Sequence, residues 1–149
     1  MKALSIYPEY CQLIHDEEKT VECRTWQTKY RGPLLICASN IPTPGYIHGH
    51  AYFTVDLVDI VPFTEAHLEA AQIDEMPEDK CFAWLLDNVQ AIYPIPVRGK
   101  PGLFDIDDHL IKYVQDEHTD EMSDEEFDRF YEDFYRKYLI PITYLPDQL

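Results

Sequence analysis

The sequence predicts an α+β fold: a mixed or antiparallel β-barrel of five to six strands with short flanking helices and an acidic amphipathic C-terminal helix. Short runs rich in Val, Ile, Phe and Tyr alternate with turn residues through the first 106 residues. After residue 123, aromatic side chains recur at helical spacing instead. A chain of 149 residues supports one hydrophobic core. We therefore expect a barrel domain over residues 1–106 and a helical extension over residues 107–149 that packs on it.

The first third of the chain predicts three strands and a helix. Residues 2–6 form a short apolar strand, and Pro8 suits the first turn of a helix because its missing N–H would be unpaired there. The acidic turn at residues 16–18 ends that helix. Residues 20–26 alternate in polarity, as a half-buried strand does, and residues 34–39 are apolar enough for a buried strand.

The middle third predicts the remaining strands. Residues 51–61 form a long strand, and Thr64 caps a short helix after it. Residues 81–86 and 89–97 are either one bent strand or two strands joined at a turn. Residues 99–102 then make a tight loop with glycine at both ends.

The C-terminal segment predicts an amphipathic helix that begins at a capping box, Ser123 to Glu126. Its acidic side chains between residues 116 and 133 form a solvated face, or a nucleic-acid-mimicking or autoinhibitory tail that lies over the basic site. Its aromatic face either docks on the barrel or binds a protein partner. The aromatic face comprises Phe127, Phe130, Tyr131, Phe134, Tyr135 and Tyr138.

Net charge restricts the possible partners. The chain carries a formal charge of −16, and residues 105–149 hold 14 of its 28 acidic side chains against 4 of its 12 basic ones. Such a surface disfavours long duplex nucleic acid but leaves room for a local cationic site in the first two-thirds. No apolar run is long enough for a membrane helix or a signal peptide, so we expect a cytoplasmic protein without a membrane partner. The four cysteines lack paired spacing and are interpreted as reduced packing residues.

The densest group of chemically useful side chains lies between residues 19 and 32. Glu22 and Arg24 share one face of a strand, so their head groups can meet in one cleft. Cations beside a stackable ring suit a phosphate and a base, whereas an ordinary surface ladder of ion pairs explains the same residues equally well. The candidate ligand-binding residues here are Lys19, Glu22, Arg24, Trp26, Lys29, Tyr30 and Arg31.

Two further features are weaker. Arg98 and Lys100 flank a glycine in a loop that can contact a phosphate or can be a plain turn. His48 and His50 lie two apart, but no third metal ligand is evident. We therefore predict neither a metal site nor a cofactor.

Several of these segments, in this order, resemble the ASCH family. The opening pattern comprises residues 3–6, 19–24, 30–36 and 38–39, and the closing pattern comprises residues 84–89, 94, 96–100 and 102–104. The resemblance covers about residues 2–106 and implies a PUA-like barrel with a cleft between strands and a helix. Lys19, Glu22 and Arg24 match the family's Lys-x-x-Glu-x-Arg signature, and Ser39 matches a small polar residue at the end of the next strand. Glu17, Tyr10 and Phe104 depart from the Gly, Trp and Trp that are common in relatives.

The resemblance implies binding of RNA, DNA or modified nucleobases. The favoured hypothesis is that a nucleotide, a modified nucleobase or a single-stranded RNA or DNA enters the cleft. Arg24 and Lys19 would then meet phosphate or carbonyl oxygens, Glu22 an amino edge, and Trp26 or Tyr30 would stack.

A related branch hydrolyses acetylated cytidine nucleosides with Lys, Thr and Glu. This chain has Glu22 where that branch has the Thr nucleophile, so catalysis is not favoured. Lys19 and Glu22 remain the catalytic candidates for an amidohydrolase or nuclease. A third hypothesis is protein interaction through the C-terminal helix.

Overall fold

A computed structural model describes residues 1–117 and 119–146. At residues 116 and 117 it describes the backbone alone. The end of the predicted extension, residues 147–149, and position 118 of the acidic run lie outside the described residues. The fold has six strands and three α-helices in this part of the chain, together with several short 3₁₀ turns. They are β1 (Lys2–Ile6), α1 (Pro8–His15), β2 (Val21–Arg24), β3 (Gly32–Ala38), β4 (His50–Pro62), α2 (Leu68–Ala71), β5 (Phe82–Pro96), β6 (Phe104–Asp105) and α3 (Asp124–Phe134).

The six strands form one mixed sheet in the order β2-β5-β4-β3-β1-β6. β1 and β3 run parallel, and the other neighbours are antiparallel. The α+β fold with this strand number confirms the prediction, but the sheet is not closed into a barrel. Its edge strands β2 and β6 contain only 4 and 2 residues, too few to form a closing ladder.

Residues 81–97, which the sequence predicts as either one bent strand or two strands, contain the single strand β5. β5 pairs with β4 over nearly its whole length, with register shifts near Ala51, Thr54 and Leu57. Asn88 has φ 55°, a left-handed conformation that an asparagine tolerates and that breaks the regular pleat. These irregularities bend and coil the two longest strands, so the sheet curves around its core.

The main core lies between the sheet and the helices α1 and α3. Trp84 is fully buried there and donates its Nε1 hydrogen to the carbonyl oxygen of Trp26 at 3.2 Å. α3 begins as predicted, with the Ser123 hydroxyl accepting from the Glu126 amide. Its Phe134 ring packs on Tyr93 of β5 at 5.4 Å. The aromatic face of α3 therefore contacts the sheet in part, while Phe127 stays exposed.

After α3 the chain makes a π-helical turn, Tyr135–Leu139, and a 3₁₀ turn, Ile140–Ile142. Thr143 then forms an isolated bridge with Ile47, which brings the C-terminal segment back to the loop between β3 and β4. None of the helices described is both long and apolar enough to cross a membrane. The division of the chain at residue 106 stays a prediction.

Candidate functional site

A cleft of about 640 Å³ opens where β1 and β3 end. The two parallel strands are in register up to the pair Ile6 and Ala38, so the residues that follow them leave the sheet at the same edge. The Ser39 amide donates to the Ile6 carbonyl oxygen at 2.8 Å and holds the two exits together. The cleft is lined by Ser5, Ile6, Tyr7, Tyr10, Glu22, Cys23, Arg24, Ser39, Asn40, Arg98, Gly99, Lys100 and Pro101.

Glu22 is the acidic group at the wall of the cleft, and it is only 7% exposed. Its Oε2 lies 3.1 Å from Nη2 of Arg24, and its Oε1 lies 3.6 Å from Nζ of Lys19. The Cys23 amide also donates to Oε1, at 3.0 Å. The predicted meeting of Glu22 and Arg24 on one strand face is therefore present as an ion pair.

Lys19 lies behind Glu22 and is 2% exposed. Its ammonium donates to the carbonyl oxygen of Ala71 at 2.7 Å and sits 5.1 Å from the centre of the Tyr10 ring. Burial lowers the pKa of Lys19, and the carboxylate of Glu22 opposes that shift. Lys19 does not line the cleft, but it contacts the lining residues Glu22 and Tyr10.

Two buried polar atoms in the cleft lack a hydrogen-bond partner among the described residues: Nε of Arg24 and Oγ of Ser39. Arg24 is otherwise well held, because its Nη2 also donates to the carbonyl oxygen of Ser5 at 2.9 Å. Buried polar groups are normally paired. Both atoms belong to side chains that line the same cleft, which marks it as a place where a ligand can supply the missing contacts.

The opposite wall is the loop at residues 98–101, with exposed side chains at Arg98 and Lys100. Gly99 approaches Ser5 so closely that an added Cβ would lie 2.6 Å from the Ser5 hydroxyl oxygen. Glycine at this position lets the loop pack against β1. The loop therefore presents its two cations at the mouth of the cleft.

The structure separates the remaining candidates from the cleft. Trp26 packs edge-on against Trp84 at 4.8 Å. The Tyr30 hydroxyl donates to the Pro33 carbonyl oxygen, and Arg31 pairs with Asp59 at 3.3 Å. Lys29 is exposed, outside the lining of the cleft. These side chains support the turn between β2 and β3.

The rings that do line the cleft are Tyr7 and Tyr10. Tyr7 is 60% exposed and precedes Pro8, the first residue of α1. The sequence offered one signal for it: an aromatic residue between a strand and a helix start, which is where parallel strands place binding residues. The lining also includes Asn40, at the end of the β3 exit, which the sequence did not single out.

A model of the ASCH domain matches residues 4–96, more than half of the chain. The chain belongs to the ASCH domain family. The matched segment contains the buried ion-pair group and Ser39, whereas Arg98, Lys100 and the C-terminal helix lie beyond it.

Solved structures of ASCH proteins share the fold. The ASCH protein of Zymomonas mobilis has a TM-score of 0.57 and 20% identity, covering 72% of this chain and 88% of its own. A Tyr-to-Phe variant of that protein gives the same TM-score and identity, covering 72% of this chain and 90% of its own. A Ser-to-Ala variant has a TM-score of 0.59 and 17% identity, covering 82% of this chain and 96% of its own. No curated protein matches this sequence significantly.

Proposed function

We propose that this ASCH domain is a binding module that takes a nucleotide, a modified nucleobase or the end of a single-stranded RNA or DNA into the cleft. The observation that carries the proposal is the pair of unpartnered buried atoms, Nε of Arg24 and Oγ of Ser39, in a cleft with three cationic side chains. A protein with a net charge of −16 that concentrates cations at one pocket favours a small anionic ligand, because local potential governs binding there.

Each side chain has a distinct part in the proposal. Arg98 and Lys100 contact a phosphate at the mouth, and Arg24 with Ser39 contacts oxygens deeper in the cleft. Glu22 accepts from a base amino group, because a carboxylate has about four acceptor sites and its hydrogen bonds from the Cys23 amide and Arg24 use two of them. Tyr7 and Tyr10 replace Trp26 and Tyr30 as the rings available for stacking.

The geometry favours binding over hydrolysis. The amidohydrolase hypothesis needs Lys19 at the ligand, but its ammonium is held by the Ala71 carbonyl oxygen behind Glu22. Thr20, the threonine next to Lys19, is exposed just before β2 and outside the cleft lining, so it is not placed to act as a nucleophile on a ligand there. The proposal also places the protein in the cytoplasm, where its four free cysteines remain reduced.

The test is a thermal-shift screen with nucleosides, modified nucleosides and nucleoside 5′-monophosphates, followed by calorimetry on each ligand that raises the melting temperature. Lys100→Glu should weaken binding of a phosphorylated ligand by about tenfold or more, and the loss should shrink at high salt. Lys29→Glu is the matched control, because it makes the same charge change at an exposed lysine outside the cleft. No stabilisation by any of these compounds, or equal losses in the two variants, would overturn the proposal.

A further inference from the structure

We infer that residues 140–145 build a second subsite beside the cleft, which takes the next nucleotide of a single-stranded nucleic acid. The inference rests on the proposed function and makes the ligand an oligonucleotide rather than a lone nucleotide. The subsite is a groove of about 540 Å³, here called the histidine groove. It is lined by Asn40, His48, Gly49, His50, Ile140, Pro141, Ile142, Thr143, Tyr144 and Leu145.

The histidine groove adjoins the cleft, because Asn40 lines both. The Oδ1 atom of Asn40 lies 3.2 Å from Nδ1 of His48, so the side chain is held at the junction. Gly49 has φ +66°, and an added Cβ there would lie 2.9 Å from Asn40 Oδ1. Its amide donates to the Ala38 carbonyl oxygen at 2.9 Å, which fixes the floor between the two sites. A chain-like ligand can therefore pass from one site to the other along a fixed wall.

The far wall of the groove is anchored although it lies beyond the ASCH match. The Gly45 amide donates to the Tyr144 carbonyl oxygen at 2.8 Å, and the Tyr144 amide donates to the Tyr46 carbonyl oxygen at 2.9 Å. The Thr143 hydroxyl donates to the Leu139 carbonyl oxygen at 2.8 Å. The two backbone bonds hold the segment against the loop between β3 and β4, and the Thr143 bond stabilises its turn, so the groove is preformed rather than closed by a loose tail.

The lining suits a base and its sugar. Tyr144 supplies a ring whose centre lies 5.8 Å from that of His48, and Ile140 and Leu145 add apolar surface. His50 Nδ1 lies 2.8 Å from the His48 carbonyl oxygen, which only accepts, so that nitrogen carries the hydrogen. In that tautomer Nε2 is the acceptor of the ring, available to a hydroxyl or amino group. Base stacking on such rings tolerates any sequence.

Charge favours nucleic acid as the occupant. Among the described residues lining the cleft and the histidine groove, Glu22 is the one carboxylate, although the chain carries 28 acidic side chains. The carboxylates of α3 line neither site. The phosphate that links two nucleotides would cross at Asn40, between the cations of the cleft and the two imidazoles.

The test compares the four ribonucleoside 5′-monophosphates with the four matching 5′-phosphorylated homodinucleotides by calorimetry on the full chain. At least one dinucleotide should bind about tenfold or more tightly than its mononucleotide, the gain expected from one stacked base. Ile140→Glu should remove that gain and leave the mononucleotide affinity unchanged, because residue 140 lines only the histidine groove. Ile140→Lys should keep the gain or increase it.

Val58→Glu is the matched control for Ile140→Glu. Both side chains are exposed apolar groups, Val58 at 56% and Ile140 at 39%. Val58 lies roughly 25 Å along β4 from the groove. Dinucleotides that bind no more tightly than mononucleotides would overturn the second subsite and leave the proposed function standing. Equal effects of Ile140→Glu and Val58→Glu would also overturn it. Binding of neither ligand class would overturn the proposed function, and the second subsite with it.

Discussion

Glu22 and Lys19 are almost fully buried, and each has its charge compensated by neighbouring groups. The spacing of Glu22 and Arg24 was enough to predict that these two side chains meet, because strand geometry puts alternate residues on one face. Spacing could not show that Lys19 would lie behind Glu22. That arrangement depends on the Ala71 carbonyl oxygen, which is 52 residues away in the chain. Similarly, Trp26 and Tyr30 have the right chemistry for stacking, but core and turn contacts occupy them.

Ser39→Ala separates ligand binding from stability. The Ser39 hydroxyl oxygen has no partner among the described residues, so its removal should leave the free energy of unfolding within about 0.5 kcal/mol of wild type. Ligand binding should weaken by about three- to tenfold, the worth of one hydrogen bond. Urea denaturation and calorimetry measure the two quantities. A large loss of stability with unchanged binding would assign the hydroxyl to the fold.

Glu22→Gln should destabilise the protein by about 3 kcal/mol, because the buried Lys19 ammonium loses its carboxylate partner. The deficit should shrink as the pH rises toward 10.5. Removing Glu22 lowers the pKa of Lys19 further, because the carboxylate opposes the effect of burial. The unfolded chain then binds more protons than the folded chain, so the free energy of unfolding of the variant rises with pH. Urea denaturation at several pH values measures this. The exposed Glu18→Gln is the control, and equal effects of the two variants would contradict the account.

At the scale of elements, the strand predictions succeeded where polarity alternates or an apolar run is bounded by turns. β1, β3, β4 and the bent β5 lie close to their predicted positions. Barrel closure was wrong, since it depends on the lengths and partners of the edge strands, and neither is encoded in local periodicity. The histidine groove was also beyond prediction, because the Ile47–Thr143 bridge joins residues far apart in the chain.

β3 contains a titratable group that should make the fold sensitive to alkali. Burial raises the pKa of the Cys37 thiol from 9.0 to about 12. Above pH 9 the unfolded chain ionises this thiol while the folded chain does not, so stability is lost as the pH rises toward 12. The loss is about 1.4 kcal/mol per pH unit for this thiol. The unfolding free energy of Cys37→Ala should therefore fall less steeply between pH 9 and 11 than that of the wild type. Equal slopes for the two proteins in urea denaturation at these pH values would contradict this.

For the whole molecule, the uneven charge distribution was the most informative property of the sequence. It predicted an acidic C-terminal third and left a cationic site possible elsewhere. The cleft is lined by Arg24, Arg98 and Lys100 together with the carboxylate of Glu22. Composition could not show that the segment after α3 returns to the loop between β3 and β4, beside the cleft. The exposed part of the aromatic face, at Phe127, Tyr131 and Tyr135, leaves a protein partner for the C-terminal helix as a prediction.

The most direct test of the cleft is a titration of the ¹⁵N-labelled full chain with nucleoside 5′-monophosphates, followed by amide chemical shifts. The account predicts that the largest shifts fall on Ser39, Asn40, Gly99 and Lys100, with the Lys29 and Arg31 amides unmoved. Shifts confined to α3, or to the turn between β2 and β3, would contradict it and assign binding to a different surface.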